Sequence, residues 1–400
     1  MSNQFLNIIG IGEDGIDRLC PTAQHRIRNA SLVVGGKRHL ALAHALIQGE
    51  KQIWSNPLDH SIQKILQHKP TPVAVLASGD PFWYGIGPLL TKTLTHAEWN
   101  SFPAISSYSL ACNRLGWHGQ DVHTVSLCGR PIETLRPSLI PYRRLFILSA
   151  NEKTPHQVHT LLKEWHISYK NFYILEALGG KDEHIFWLSG RDAIPNDIHP
   201  LNIIALELDH FTALPFTHGR EDHWFENDGQ LTKQTVRANT LSALQPYPGA
   251  LLWDIGTGSG SIAIEWMLTH PTCKAIAIEP HINRANRAKE NAIRLGVPAL
   301  QIINGKAPES LQDLPRPDAI FIGGGLTSPN LLETVWNALC PLGRLVINSV
   351  TAEGDYLLFK AQQQRGGQIT RLSVEYYETL GQYHGFKPAR AITQYVVQKQ

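Results

Sequence analysis

No stretch of this sequence approaches the roughly 20 consecutive apolar residues that a membrane-spanning helix needs. Cysteine is scarce. Cys20, Cys112, Cys128, Cys273 and Cys340 are scattered, with no Cys-x-x-Cys. That pattern disfavours structural zinc and fits a reducing cytoplasm. The 19 histidines form no His-Glu-x-x-His or other recognisable ligand spacing, so no metal site is expected. Charge is thin as well: 18% of residues are charged and the net charge is +2, which gives no basic surface for nucleic acid or membrane. The N-terminus lacks the basic and apolar regions of a signal peptide and reads as a first strand. No Ser-His-Asp or paired-carboxylate constellation is visible, so no catalytic side chain is assigned.

What is present is an alternation of short apolar runs and helical patterns over 400 residues, too many for one ordinary core. Residues 5–9, 32–34, 73–77, 144–148, 172–175 and 201–206 read as strands. Residues 22–29, 39–45, 61–67 and 156–165 read as helices. Residues 209–235 break the alternation and read as a linker or lead-in segment. A second alternation then begins, with a helix at 236–244 and strands near 251, 275, 301, 318 and 344. The expectation is an α/β chain of two domains, 1–210 and 211–400, the second a doubly wound unit.

The most informative stretch is Leu251-Leu-Trp-Asp-Ile-Gly-Thr-Gly-Ser-Gly260. An apolar run ends in Asp254, and Gly256, Gly258 and Gly260 follow at alternate positions before a helical pattern. Glycines let the backbone turn sharply and approach a ligand. The unpaired N–H groups of the helix start favour anionic groups. A second apolar run, 274–278, ends in Glu279, a carboxylate placed to accept both hydroxyls of a ribose. A dinucleotide fingerprint would require Gly-x-Gly-x-x-Gly. The Asp-x-Gly-x-Gly-x-Gly pattern instead resembles motif I of the S-adenosylmethionine methyltransferases. A dinucleotide site, or a glycine-rich turn with no ligand, remains an alternative at this point.

Gly10-Ile-Gly-Glu-Asp-Gly15 is a literal dinucleotide fingerprint after a strand. Its context does not fit. The next helix begins about six residues later at Pro21, and the second strand ends in Gly35-Gly36-Lys37-Arg38 with no carboxylate. Taken with Ala77-Ser-Gly-Asp-Pro-Phe-Trp-Tyr-Gly-Ile-Gly87 and Pro103-Ala-Ile-Ser-Ser107, the segment resembles the tetrapyrrole methylases. That resemblance implies two α/β halves with a cleft between them. It also implies a first S-adenosylmethionine site at Gly10, Gly79, Asp80, Gly85, Ile86, Ser106 and Ser107. Asp80 could equally cap a helix. Val34-Gly-Gly-Lys-Arg-His-Leu40, Arg114-Leu-Gly-Trp117 and Val125-Ser-Leu-Cys-Gly-Arg-Pro131 are similar to the branch acting on precorrin-6Y.

Residues 219–244, Trp253–Gly260 and Phe321-Ile-Gly-Gly-Gly325 resemble the decarboxylating methyltransferase domain of cobalamin biosynthesis, a Rossmann-like class I fold. The resemblance implies methylation of the macrocycle at C5 by the first domain, and C15 methylation with loss of an acetate carboxyl by the second. It places a second cofactor site at Thr232, Asp254, Gly256, Thr257, Gly258, Ser259, Gly260, Glu279 and Ala307. Lys306 stands where the family usually has an aspartate, which removes a usual adenine partner. Arg130, Lys233, Arg237 and Arg390 are expected to bind substrate carboxylates, because arginine suits bidentate carboxylate recognition. The family also suggests a homo-oligomer formed through the C-terminal domain. The competing reading is a chain in which only the C-terminal unit is an enzyme, acting on a small molecule or tRNA; the near-zero net charge disfavours tRNA.

Overall fold

Strands covered on both faces need continuous apolar runs, and the N-terminal runs are of that kind. Leu6–Ile11 is buried at all six positions and Leu32–Gly35 at all four. In the computed structural model, which describes residues 4–190 and 192–400, these runs pair in parallel. The first sheet has the strand order Glu50–Ile53, Leu32–Gly35, Val73–Ser78, Leu6–Ile11, Trp99–Phe102. A second five-stranded sheet has the order Val122–Ser126, Arg144–Leu148, Asn202–Leu208, Tyr169–Glu176, His184–Leu188 and is mainly antiparallel. Both sheets fall in one compact unit that runs to Thr212 without Glu133–Pro137. The two sheets are the two α/β halves of that unit.

The second unit takes Glu133–Pro137 and Ala213–Gln400. Its seven-stranded sheet has the order Gln301–Asn304, Lys274–Glu279, Leu251–Ile255, Ala319–Ile322, Arg344–Ser349, Ile392–Gln398, Gln368–Leu372. The first five strands are parallel and Ile392–Gln398 is antiparallel to both of its neighbours, so the doubly wound pattern ends in an antiparallel edge. Helix Ser261–Thr269 is buried from Ser261 to Met267, because it lies inside the core rather than on its surface. Trp253 and Trp266 are among the largest side chains fully buried there.

Of the two readings of 209–235, a linker or a lead-in segment, the structure has the second. Leu214, Phe225 and Leu231 belong to the core of the second unit. Polar side chains satisfy its backbone: Asn291 accepts from the Glu226 N–H at 2.9 Å and donates to the Glu226 carbonyl at 2.9 Å. Burial of this kind depends on distant partners, which local composition does not report. Among the described residues no helix is long and apolar enough to cross a membrane.

Gly10 sits where three strand ends converge. A Cβ there would lie 1.8 Å from the Gly79 carbonyl oxygen and 2.7 Å from the Ala104 nitrogen. Gly10→Ala must therefore push backbone apart. The variant is expected to lose about 2–3 kcal/mol of stability or more by denaturant unfolding, as overpacking against rigid neighbours does.

Candidate active sites

The C-terminal cavity lies at the carboxyl ends of the parallel strands, where open α/β sheets bind ligands. Its volume is about 820 Å³. Strand Leu251–Ile255 leads into Gly256, Gly258 and Gly260, with φ of 72°, 59° and 82°. Side chains rarely adopt such values. At Gly256 the fit is also tight, since a Cβ would lie 2.9 Å from the Gly324 nitrogen. Gly260 is the N-cap of helix Ser261–Thr269. The loop thus presents bare backbone to whatever fills the cavity.

Glu279 ends the neighbouring strand and lines the same cavity. One carboxylate oxygen accepts from the Gly258 N–H at 2.9 Å and the other from the His281 N–H at 3.1 Å. Each oxygen keeps a lone pair for a further donor, as a ribose diol requires. Thr232, Lys233, Thr257, Ser259, Lys306, Ala307 and Arg390 also line the cavity. Lys306 is exposed, and its ammonium can only donate. Asn304 is spent on the carbonyls of Glu279 and Pro280, at 2.9 and 3.1 Å.

Three residues expected to contact ligand do not line this cavity. Asp254 is 1% exposed and holds the loop from below. Its carboxylate accepts from the Thr257 hydroxyl at 2.5 Å and the Ala263 N–H at 3.1 Å. Gly260 is buried against Ala288 and Ile264. Arg237 is the clearest correction. It is fully buried, with Nε donating to Glu265 at 2.7 Å and the guanidinium also donating to the Thr232 and Arg220 carbonyls. Its fork is used up inside the protein, so it has nothing to offer a substrate carboxylate. It supports the cavity by fixing the carbonyl of Thr232.

The N-terminal unit has its own cleft of about 350 Å³, lined by residues from both halves. Gly79, Asp80, Gly85, Ile86, Ser106 and Ser107 line it. Gly10 does not; its role is the close packing described above. Arg130 is exposed in the turn after Val122–Ser126 and is not part of the lining, to which Cys128, two residues before it, belongs. Asp80 closes a turn by accepting from the Phe82 N–H at 2.8 Å, and no helix starts there until Gly87. The cap in this cleft is Ser106, whose hydroxyl accepts from Ser109 N–H at 3.1 Å at the start of Ser107–Leu115.

Two cleft residues were missed by sequence reasoning. Arg38 donates to the Ser78 hydroxyl at 2.7 Å and pairs with Glu13, and His39 Nε2 lies 2.9 Å from the same hydroxyl. Burial, reinforced by the Arg38 charge, lowers the His39 pKa to about 4, so its ring is neutral at pH 7. The Gly-Gly-Lys-Arg-His run was visible as a motif. That its helix, Lys37–Leu42, turns both side chains into the cleft was not. Among the described residues no cluster of His, Cys, Asp and Glu could hold a metal ion.

Burial pushes the Asp254 carboxyl up to about 6 from its ordinary 3.8. The folded chain therefore holds this proton over a range where the unfolded chain has released it. The resulting stability is present below about pH 4 and is lost as pH rises through 6. The difference is worth roughly 3 kcal/mol at most. Asp254→Asn is expected to flatten this part of the pH–stability profile, read by denaturant unfolding between pH 4 and 7. Arg237→Ala strips the buried Glu265 of the nearer of its two cations; it is expected to cost about 3–5 kcal/mol in the same assay.

Comparison with known proteins supplies two matches that divide the chain. The family described as "Tetrapyrrole (Corrin/Porphyrin) Methylases" matches residues 6–192, and that described as "Precorrin methyltransferase domain" matches 223–399. Over 394 residues the chain is 44% identical to precorrin-6Y C(5,15)-methyltransferase [decarboxylating] of Sinorhizobium sp, covering 98% of this chain and 95% of that one. Two shorter relatives come from Salmonella typhimurium. Cobalt-precorrin-6B C(15)-methyltransferase (decarboxylating) is 30% identical over 42% of this chain and 90% of its own length. Cobalt-precorrin-7 C(5)-methyltransferase is 28% identical over 46% of this chain and 90% of its own length.

Proposed function

The chain belongs to the decarboxylating precorrin-6Y C(5,15)-methyltransferase family, and from that premise we propose that it carries two S-adenosylmethionine sites acting on one tetrapyrrole. The unit ending at Thr212 methylates C5. The unit from Ala213 methylates C15 and removes an acetate carboxyl as CO₂. The observation that carries this reading is the pair of separate cavities, each lined by the motif loops of its own unit. The two Salmonella relatives support the division, since each covers under half of this chain and is named for one of the two reactions.

The residues of the second cavity fit the cofactor. The backbone cradle at Gly256 excludes a Cβ, and Glu279 has lone pairs to spare for ribose hydroxyls. Gly256, Thr257, Gly258 and Ser259 would surround the methionine part, and Thr232 would close the lip. With Lys306 in place of an acceptor, the adenine falls to the backbone near Ala307. Asp254 and Gly260 shape this loop without reaching the ligand. In the first cleft, Gly79, Asp80, Gly85, Ile86, Ser106 and Ser107 would take the same part.

When bound, S-adenosylmethionine supplies an electrophilic methyl group on a sulfonium. The receiving meso carbon is enamine-like and already nucleophilic. The protein therefore has to align the reacting centres and exclude water rather than supply a strong base. Alignment of this kind is worth up to roughly 7–11 kcal/mol. Lys233 and Arg390, at the mouth of the second cavity, are placed to bind retained acetate or propionate arms. Lys233 is shared with Asp222 at 3.4 Å, which leaves Arg390 the freer cation.

The hairpin of Glu375–Leu380 and Tyr383–Pro388 exposes Tyr377, Leu380, Tyr383 and Phe386 at 65%, 68%, 77% and 69%, which favours burial against another copy of the C-terminal unit. Five free cysteines suit a reducing cytoplasm.

Incubation with precorrin-6Y and S-adenosylmethionine, read by mass spectrometry, is expected to give a product with two added methyl groups and one CO₂ lost. A product with a single methyl and its carboxyls intact would contradict the assignment.

A further inference from the structure

The C-terminal cavity is lined, two strands from the glycine loop, by a polar group held in a fixed orientation. Asn348 lies near the carboxyl end of strand Arg344–Ser349, two strands from Leu251–Ile255, and lines the cavity. Its Nδ2 donates to the Thr240 hydroxyl at 2.9 Å. Its Oδ1 accepts from Gln394 Nε2 at 3.0 Å, and Gln394 is its direct cross-strand neighbour. Gln394 is in turn fixed by Asn239, which donates to its Oε1 at 2.8 Å. Thr240 and Gln394 are 0% and 3% exposed. The amide therefore cannot flip without breaking buried hydrogen bonds, and one Nδ2 hydrogen remains for a ligand.

The surroundings of this donor are apolar. Val350, two residues after Asn348, and Ile392, two residues before Gln394, also line the cavity. Of the cavity's cations, Lys233, Arg284 and Lys306 come from other segments, and Arg390 precedes Ile392 by two residues. A carboxylate held by a cation is stabilised as an anion and resists giving up its charge. A neutral amide orients a carboxylate while stabilising it less, and an apolar wall favours loss of the charge.

We propose that Asn348 docks the carboxylate that leaves as CO₂, while the retained carboxylates take the cations. This rests on the decarboxylating reading of the second unit. In the step, the bond between the acetate methylene and the carboxyl carbon breaks. Its electron pair passes into the conjugated macrocycle, CO₂ departs, and a proton from water completes the methyl group. Asn348 takes no proton; it sets the plane of the carboxylate. Thr240 and Gln394 are positioning residues that act through it.

The test compares Asn348→Ala and Asn348→Asp in the full chain with precorrin-6Y and S-adenosylmethionine, following CO₂ release by mass and cofactor affinity by calorimetry. Asn348→Ala should slow CO₂ release by roughly tenfold or more, the loss of one hydrogen bond to a charged group. Asn348→Asp should be slower still, by about another tenfold, because it sets like charges together although it matches the amide in shape. Cofactor affinity should stay within about twofold of wild type, which also reports an intact fold. The proposal is overturned if CO₂ release is unchanged in both variants. It is also overturned if Asp is milder than Ala, as a purely packing role would give, or if cofactor affinity falls in step with turnover. A wild-type chain that releases no CO₂ would instead overturn the decarboxylating reading itself, and this proposal with it.

Discussion

The second unit is organised around one buried carboxylate. Glu265 is fully buried and accepts from the Gly219 N–H at 2.7 Å, the Arg220 N–H at 3.0 Å and Arg237 Nε at 2.7 Å. The Arg220 guanidinium lies 3.4 Å away. Two buried cations and several donors balance one buried anion, and Asp222 adds a second acidic contact to Arg237 at 3.3 Å. Such a group is tolerated only with its partners in place. Its effect is to tie the lead-in segment to helices Gln234–Leu244 and Ser261–Thr269. Helix Ser261–Thr269 starts at the glycine loop, and the lead-in segment ends at Thr232 and Lys233, on the lip of the cavity. One ion-pair network thus sets both sides of the C-terminal cavity.

What could be read in the sequence was local. The strand runs are continuous and apolar, the glycines of residues 256–260 adopt positive φ, and Glu279 sits at its strand tip, because each follows from neighbours in the chain. What could not be read depends on partners far away. Arg237 follows Lys233 by one helical turn in a motif segment, and its buried partner Glu265 is 28 residues on. Gly10 looks like a ligand-binding glycine until Gly79 and Ala104 are brought against it. Arg38 and His39 reach the first cleft only because Ser78 and Glu13 converge there. The antiparallel edge and the exposed hairpin at the C-terminus carry no glycine-rich motif to announce them. The corrections therefore concern which polar side chains face a cavity and which support it.

The two units solve one task with different means. Each offers turns of bare backbone beside a polar acceptor or hydroxyl. That provision matches a substrate whose carbon is itself nucleophilic. On the proposed reading, the Lys306 ammonium offers a nucleoside no acceptor, which leaves its recognition to Glu279 and the backbone. The second unit also carries Asp254 as a buried support, its carboxyl pushed up to about 6 by burial.

The central claim is that one chain holds two independent S-adenosylmethionine sites. Calorimetric titration of the full chain with S-adenosylmethionine tests it most directly. The account predicts two sites per chain, one of which disappears when Gly256→Val fills the backbone cradle of the second unit. A stoichiometry of one in the intact, folded chain would contradict it.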